Sequence, residues 1–233
     1  TDIGEQIAKQ AQLILTQVDI LHEMAKSAHD PFSGPLRVGV IPTLAPYLLP
    51  RIMPVLAKAF PKIDFYLIEK QTTQLLESLK LAQIDVAILA LPIAHDGFKT
   101  VALFEEEFLL AVSKKNPLSK QKSINAHDFA EQTILLLDEG HCLRDQALSF
   151  CQRIRVKESQ DFRATSLETL RQMVAADLGV TLMPKLAMQK HDGIAYIPFQ
   201  KQTPMRTIAL CYRMSSTRVV LMGELVEEIR GVF

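Results

Sequence analysis

Ile134-Leu135-Leu136-Leu137-Asp138-Glu139-Gly140-His141-Cys142-Leu143-Arg144-Asp145-Gln146-Ala147-Leu148-Ser149-Phe150-Cys151 changes its pattern midway. The apolar run Ile134–Leu137 reads as a short buried strand, Asp138-Glu139-Gly140 as its exit turn, and Leu143–Cys151 as a mix of good helix formers. A strand passing directly into a helix is the building unit of an α/β fold. It sets Cys142 at a strand-to-helix turn, where unpaired N–H groups and a partial positive charge favour a thiolate. His141 and Arg144 add nearby positive charge. The competing role for Cys142 is that of most free cysteines, a small apolar filler.

Cys151 follows nine residues after Cys142. With residues 143–151 helical, the two side chains fall on opposite faces, about 13 Å apart along the axis. A disulfide tolerates roughly 7 Å between Cα atoms, so the pair can bond only if the helix unwinds. A thiol pair of that kind is a two-state switch driven by oxidation. The chain-entropy model gives so small a loop about 2–3 kcal/mol, enough to hold an alternative packing. The stretch suggests a redox sensor.

Outward from it, strands and helices alternate. Leu36–Ile41, Ile63–Glu69 and Ile84–Leu91 read as strands, residues 46–59 and Thr72–Ala82 as helices, which argues a parallel or mixed sheet with helices on its faces. Pro46 suits a helix start, whereas Pro50 and Pro54 should kink or break an interior. Thr100–Phe104 and Phe108–Val112 read as two short strands around Glu105-Glu106-Glu107, a solvated turn. Helix Ala126–Gln132 precedes the central stretch, and beyond the cysteines come strand Phe162–Ala164, a capping box at Thr165-Ser166-Leu167-Glu168 opening helix Ser166–Ala176, and Gly179 to stop it. Strands Val180–Met183, Ile194–Pro198 and Arg206–Arg213 and a closing helix Thr217–Arg230 complete the chain. Ligands in such sheets sit at the carboxyl ends of strands against helix starts. Thr43 and Thr72 both stand there, where a Thr also serves as an N-cap.

The N-terminal segment has no Pro until Pro31, and Ile7, Ala11, Ile14, Val18, Leu21 and Ala25 follow a 4-3-4-3-4 spacing. That is the seam of a helix packed lengthwise on another helix, or of an amphipathic helix lying on its own domain. With 233 residues, 48% hydrophobic content and zero net charge, the chain is expected to be a soluble globular protein without a basic nucleic-acid surface. No run has the length of a membrane span, the start is not that of a signal peptide, and three cysteines do not make a disulfide framework. The expected compartment is the cytoplasm.

Gly140-His141-Cys142-Leu143-Arg144-Asp145-Gln146-Ala147 with Phe150-Cys151 resembles the signature of the peroxide-sensing branch of the LysR-type transcriptional regulators. Ile41-Pro42-Thr43 and Gln71-Thr72 are similar to the two threonine positions of its peroxide pocket. The resemblance implies a two-lobed, periplasmic-binding-protein-like regulatory domain after a long linker helix. It divides the chain into linker helix 1–30, subdomain I at 34–106 and 209–233, and subdomain II at 107–208. It also implies that the chain opens inside a longer protein, whose N-terminal winged helix-turn-helix binds DNA.

On that resemblance, hydrogen peroxide is the ligand and Cys142 the thiol it oxidises to a sulfenic acid, which Cys151 then converts to a disulfide. Thr43 and Thr72 hold the peroxide, while His141, Arg144 and Asp145 position it and balance charge, and Arg206 faces the same cleft. Expected partners are a second and further copies in a homodimer or homotetramer, RNA polymerase, and a glutaredoxin or thioredoxin system as reductant. No cofactor, metal or membrane is expected. A Cys142/Cys151/His141 zinc site lacks any Cys-x-x-Cys pair, and Cys211 reads as an inert strand residue. Two other readings stay open: a LysR-type domain binding a small organic effector between its lobes, and a thiol peroxidase or cysteine hydrolase using Cys142 and His141. The latter is disfavoured because adjacent residues on a turn rarely point at each other.

Overall fold

The structure, a computed structural model of the chain, describes all residues except 28–29, 94–95, 126–127, 129–131, 155–156 and 201–202. The side chains at 9, 13, 16–17, 19–20, 22–27, 151–154 and 157–161 are likewise outside the description. The helix expected at 126–132 falls almost wholly outside the described residues.

The chain divides into two compact units. Thr1–Ile41, Leu48–Phe104 and Ile208–Phe233 form the first; Pro42–Tyr47 and Glu105–Thr207 form the second. Residues 42–47, counted with the first subdomain from sequence, join the second unit because two buried arginines of that unit hold them, Arg206 at Thr43 and Arg171 at Tyr47.

In the first unit, α1 (Asp2–Ser27) is a single helix of 26 residues. Of its seam, Ile7, Ile14, Val18 and Leu21 are all exposed, so these four side chains are not packed on the helix's own domain. β1 (Gly34–Val40) runs parallel to β2 (Ile63–Glu69) and β3 (Val86–Ala90). β9 (Met205–Arg213) pairs antiparallel with β3 and separates it from β4 (Phe98–Ser113), giving the order β2-β1-β3-β9-β4. The last strand is thus inserted near the middle of the sheet. Arg218, buried ahead of α6 (Val219–Arg230), donates to the carbonyls of Pro31, Ser33 and Pro35 and ties down the segment entering β1.

α2 (Ala45–Ala59) passes through both prolines that were expected to break it. The reason is spacing: Leu48, Ile52 and Leu56 recur every fourth residue on the buried face, and Pro46, Pro50 and Pro54 recur every fourth residue on the exposed one. The carbonyls that lose an N–H partner therefore face water, which satisfies them. α3 (Thr72–Lys80) packs Leu75, Leu76 and Leu79 inward.

The second unit is built on the far half of β4, which pairs antiparallel with β7 (Thr181–Pro184) and β8 (Ile194–Ile197). β4 is one strand of 16 residues, so the acidic turn expected at Glu105–Glu107 does not exist. The three carboxylates alternate across the strand, and each has found a partner: Thr207 for Glu105, Arg206 for Glu106, Lys185 for Glu107. β5 (Thr133–Leu137) runs parallel to β6 (Lys157–Ala164) and bridges to Val180. α4 (Cys142–Ile154) follows β5 and α5 (Leu167–Ala175) follows β6.

Two sequence signals shift by one step. The N-cap of α5 is Ser166, whose hydroxyl accepts from Thr169 N–H, rather than Thr165 with Glu168. The helix ends at Ala175, and Asp177 (φ 68°) takes the left-handed position expected of Gly179. Gly179 is required for another reason. A Cβ there would stand 2.6 Å from the Thr133 carbonyl oxygen and 2.9 Å from Leu135.

Candidate functional site

Site residues collect where β5 hands over to α4. Ile134, Leu135, Leu136 and Leu137 are all buried, and the chain leaves the strand through Gly140 at φ 88°, a conformation that suits glycine. α4 starts at Cys142 itself, one residue earlier than expected, so the thiol belongs to the first helical residue and is half-buried. Leu143, Ala147 and Phe150, at i, i+4 and i+7, turn one face of the helix into the core, and the Phe150 ring meets Phe199 edge-on at 5.3 Å. Fully burying a Leu or Phe contributes about 1.5–3 kcal/mol each, so this stripe holds the cysteine segment helical.

His141 precedes the helix and its carbonyl accepts the Arg144 N–H at 2.9 Å. Its ring is buried. Desolvation pulls the imidazole pKa below its ordinary 6.5, against the opposing pull of the Asp138 charge and a hydrogen bond to the Thr165 backbone. The side chain is therefore neutral at neutral pH, which corrects the expectation that it contributes positive charge beside Cys142. Arg144 is buried as well and donates from Nη1 to the Leu137 carbonyl at 3.0 Å, tying the first turn of α4 to the end of β5. Asp145, in the same turn, is exposed.

A second group of predicted residues meets in the same unit. Arg206, with no exposed side-chain surface, donates from Nη1 to Thr43 Oγ1 at 3.2 Å and from Nη2 to the Thr43 carbonyl at 3.3 Å. Its Nε reaches Glu106 Oε2 at 2.7 Å, and the Phe108 ring covers the guanidinium at 5.8 Å. Thr43 is 2% exposed. Arg206 is the centre of a buried ion pair that holds the threonine. Thr43 lies in the turn ahead of α2, and its hydroxyl accepts from Arg206.

Thr72 belongs to the first unit, where it opens α3; the N-cap is Gln71, without a side-chain cap, so Thr72 does not have the capping role read from its position. Its hydroxyl oxygen is buried and has no hydrogen-bond partner among the described residues. Cys151 lies within α4, and its side chain is outside the described residues. Cys211 is buried in β9, and burial pushes its thiol pKa up to about 12, which suits the inert role expected of it. Among the described residues no cluster of His, Cys, Asp and Glu could hold a metal ion.

Sequence reading missed Glu106 and Arg171. The signal for Glu106 was its phase: it shares the inward face of β4 with Phe108 and Leu110, a period-two pattern that runs through the acidic triplet. Arg171 had no such signal. It sits buried on α5 and donates to Glu168, Asp192, Tyr196, the Tyr47 hydroxyl and the Ala187 carbonyl. Desolvation opposes the charge of Asp192, but hydrogen bonds from Tyr196, the Ile194 N–H and Arg171 outweigh it and hold that carboxyl below its ordinary range.

Residues 29–233 match the family described as LysR substrate binding domain. The Escherichia coli relative, described as DNA-binding transcriptional dual regulator OxyR in strain K12 and as hydrogen peroxide-inducible genes activator in strain O157:H7, is 45% identical over 234 residues, covering 99% of this chain and 77% of the relative. Crystal structures of the oxidised and reduced forms of OxyR superpose with TM-scores of 0.80 and 0.81 at 46% and 45% identity. Each covers 87% of this chain and 97% of the solved one. Two-unit α/β architecture, a thiol at the start of α4 and this level of identity converge, and the chain belongs to the OxyR family of hydrogen peroxide-inducible gene activators within the LysR-type regulators.

Proposed function

We propose that this chain is the regulatory part of a LysR-type transcription factor that senses hydrogen peroxide through Cys142 and Cys151. The observation that carries the reading is the half-buried Cys142 at the first residue of α4, with Cys151 in the same 13-residue helix. Sulfur of Cys142, as thiolate, attacks one peroxide oxygen; the O–O bond breaks, hydroxide leaves and takes up a proton as water, and the cysteine becomes a sulfenic acid. Cys151 attacks that sulfur, a second water departs, and two thiols and one peroxide have become a disulfide and two waters. The partial positive charge at the start of α4 would favour the anionic sulfur.

Thr43 and Thr72 would hold the peroxide, with Arg206 orienting Thr43. Arg144 fixes the turn, Asp145 offers a carboxylate at its exposed side, and His141 acts through hydrogen bonding in its neutral form. Because nine helical steps separate the two Cα atoms by about 13 Å along the axis, bond formation unwinds α4 and removes its apolar stripe from the core. That refolding would change how copies associate and so how the whole protein engages DNA through a winged helix-turn-helix preceding α1. The exposed seam on α1 fits pairing of two copies in a dimer within a tetramer. RNA polymerase would read the change, a glutaredoxin or thioredoxin system would reverse it, and the cytoplasm is the compartment where both are found. Among the described residues no helix is long and apolar enough to cross a membrane.

The test is intact-mass analysis with thiol trapping, before and after one equivalent of peroxide. Loss of two hydrogens at Cys142–Cys151, absent in Cys142→Ser and replaced in Cys151→Ser by a trappable sulfenic acid, is the expected result. Slow oxidation spread over all three cysteines would overturn it.

A further inference from the structure

The buried carboxylate of Glu106 has no part in the chemistry above, yet it holds the arginine that holds Thr43. Both of its oxygens are engaged. Oε2 receives Arg206 Nε at 2.7 Å, with Nη2 of the same guanidinium at 2.7 Å, and Oε1 receives the Leu186 N–H at 2.9 Å. Its side chain is 2% exposed and that of its partner 0%. The fork of Arg206 is therefore clamped: a carboxylate along one edge, the Phe108 face across it, and Thr43 at its far end.

The consequence falls on the Thr43 hydroxyl. A hydroxyl has one proton and two lone pairs. Arg206 donates to the oxygen, so that oxygen is already an acceptor, and its own proton finds no acceptor among the described residues. A hydroxyl polarised by a cation on its oxygen is a stronger donor through its hydrogen. We propose that Glu106 is a positioning residue for the peroxide reaction: by locking Arg206 onto Thr43 it presents the Thr43 hydroxyl as a donor to the oxygen that leaves. This rests on the peroxide-sensing reading of Cys142 and deepens it, since donors pre-set on developing negative charge accelerate a reaction more than donors that must reorient. A donor suited to a departing hydroxide also selects for peroxides over alkylating agents, whose leaving groups need no such hydrogen bond.

Glu106→Gln is the direct variant. An amide keeps the size but has one acceptor oxygen, so it cannot serve both Arg206 and the Leu186 N–H. Oxidation of Cys142 by hydrogen peroxide is followed by rapid mixing and sulfenic-acid trapping, and its alkylation by iodoacetamide is followed in parallel on the same folded protein. Glu106→Gln is expected to slow the peroxide reaction by at least about tenfold while alkylation stays near the wild-type rate. In a Thr43→Val background the same substitution should have almost no further effect, because the group it positions is gone. Wild-type peroxide kinetics in Glu106→Gln, equal slowing with both reagents, or effects that multiply in the double variant would each overturn the proposal. If Glu106→Gln does not fold, Glu106→Asp, with the charge kept and the carboxylate withdrawn by one methylene, is read by the same criteria. A wild-type Cys142 that reacts with peroxide no faster than free cysteine would instead defeat the sensing reading itself, and the positioning role with it.

Discussion

Truncating Phe150 to alanine separates the two forms of the switch. Phe150 is 8% exposed, sits on the buried stripe of α4 with Leu143 and Ala147, and packs edge-on against Phe199. It is also the immediate neighbour of Cys151. A disulfide to Cys142 must bring two Cα atoms from about 13 Å to within roughly 7 Å, so the closed segment cannot leave Phe150 where the helix puts it. Phe150→Ala then costs the reduced form about 3–5 kcal/mol and the disulfide form little. For a two-electron couple about 1.4 kcal/mol corresponds to 30 mV, so the Cys142–Cys151 potential should fall by roughly 65–105 mV. The assay equilibrates protein in glutathione or dithiothreitol buffers of graded potential, quenches with an alkylating agent and counts modified thiols by mass. Denaturant melts of both forms provide the control, with loss of stability expected in the reduced form alone. An unchanged or raised potential would refute the claim that disulfide formation sacrifices the packing of α4.

Two further outcomes follow from the second unit. Gly179→Ala drives a methyl to 2.6 Å from the Thr133 carbonyl oxygen, which belongs to β5 and cannot rotate away; the cost should be about 1–3 kcal/mol, read as a lower thermal midpoint at unchanged secondary structure. Burial holds the His141 pKa below 6.5, so under that value the unfolded chain takes up a proton that the folded one refuses. Stability contributed by His141 is full above pH 6.5 and is lost as the pH falls toward its folded pKa; urea midpoints at about pH 7.5 and about pH 5.5 should drop further in the wild type than in His141→Gln.

Periodic elements were legible in the sequence because local pattern and tertiary role agree in them. The α1 heptads, the apolar β1 and β3, α3 and the strand-turn-helix around Cys142 all needed only near neighbours to be read. Failures arose where a distant group decides the structure. Glu105–Glu107 read as a solvated turn because its three partners come from residues 185, 206 and 207, and the decisive one, Arg206, is 100 residues away from Glu106. Proline counting misjudged α2 because the penalty depends on which face the prolines occupy, and the exposed face lets water take the orphaned carbonyls. Gly179 was given a helix-ending role when the constraint on it is the Thr133 backbone across the sheet. For the site, residue types and the cysteine spacing were readable, whereas the burial that makes His141 neutral and the clamp on Thr43 were not.

The threading of β9 bears on the order in which the protein can be made. Every residue of the second unit, 42–47 and 105–207, has left the ribosome before residue 208 does. The first unit must wait, because its sheet has a gap between β3 and β4 until β9 fills it, and α6 comes later still. Domains generally fold in the order of their synthesis, and here the interrupted layout inverts that order. The unit bearing Cys142 can acquire its core on the nascent chain, while the unit bearing α1, although much of it is translated earlier, completes itself only once β9 and α6 have been made.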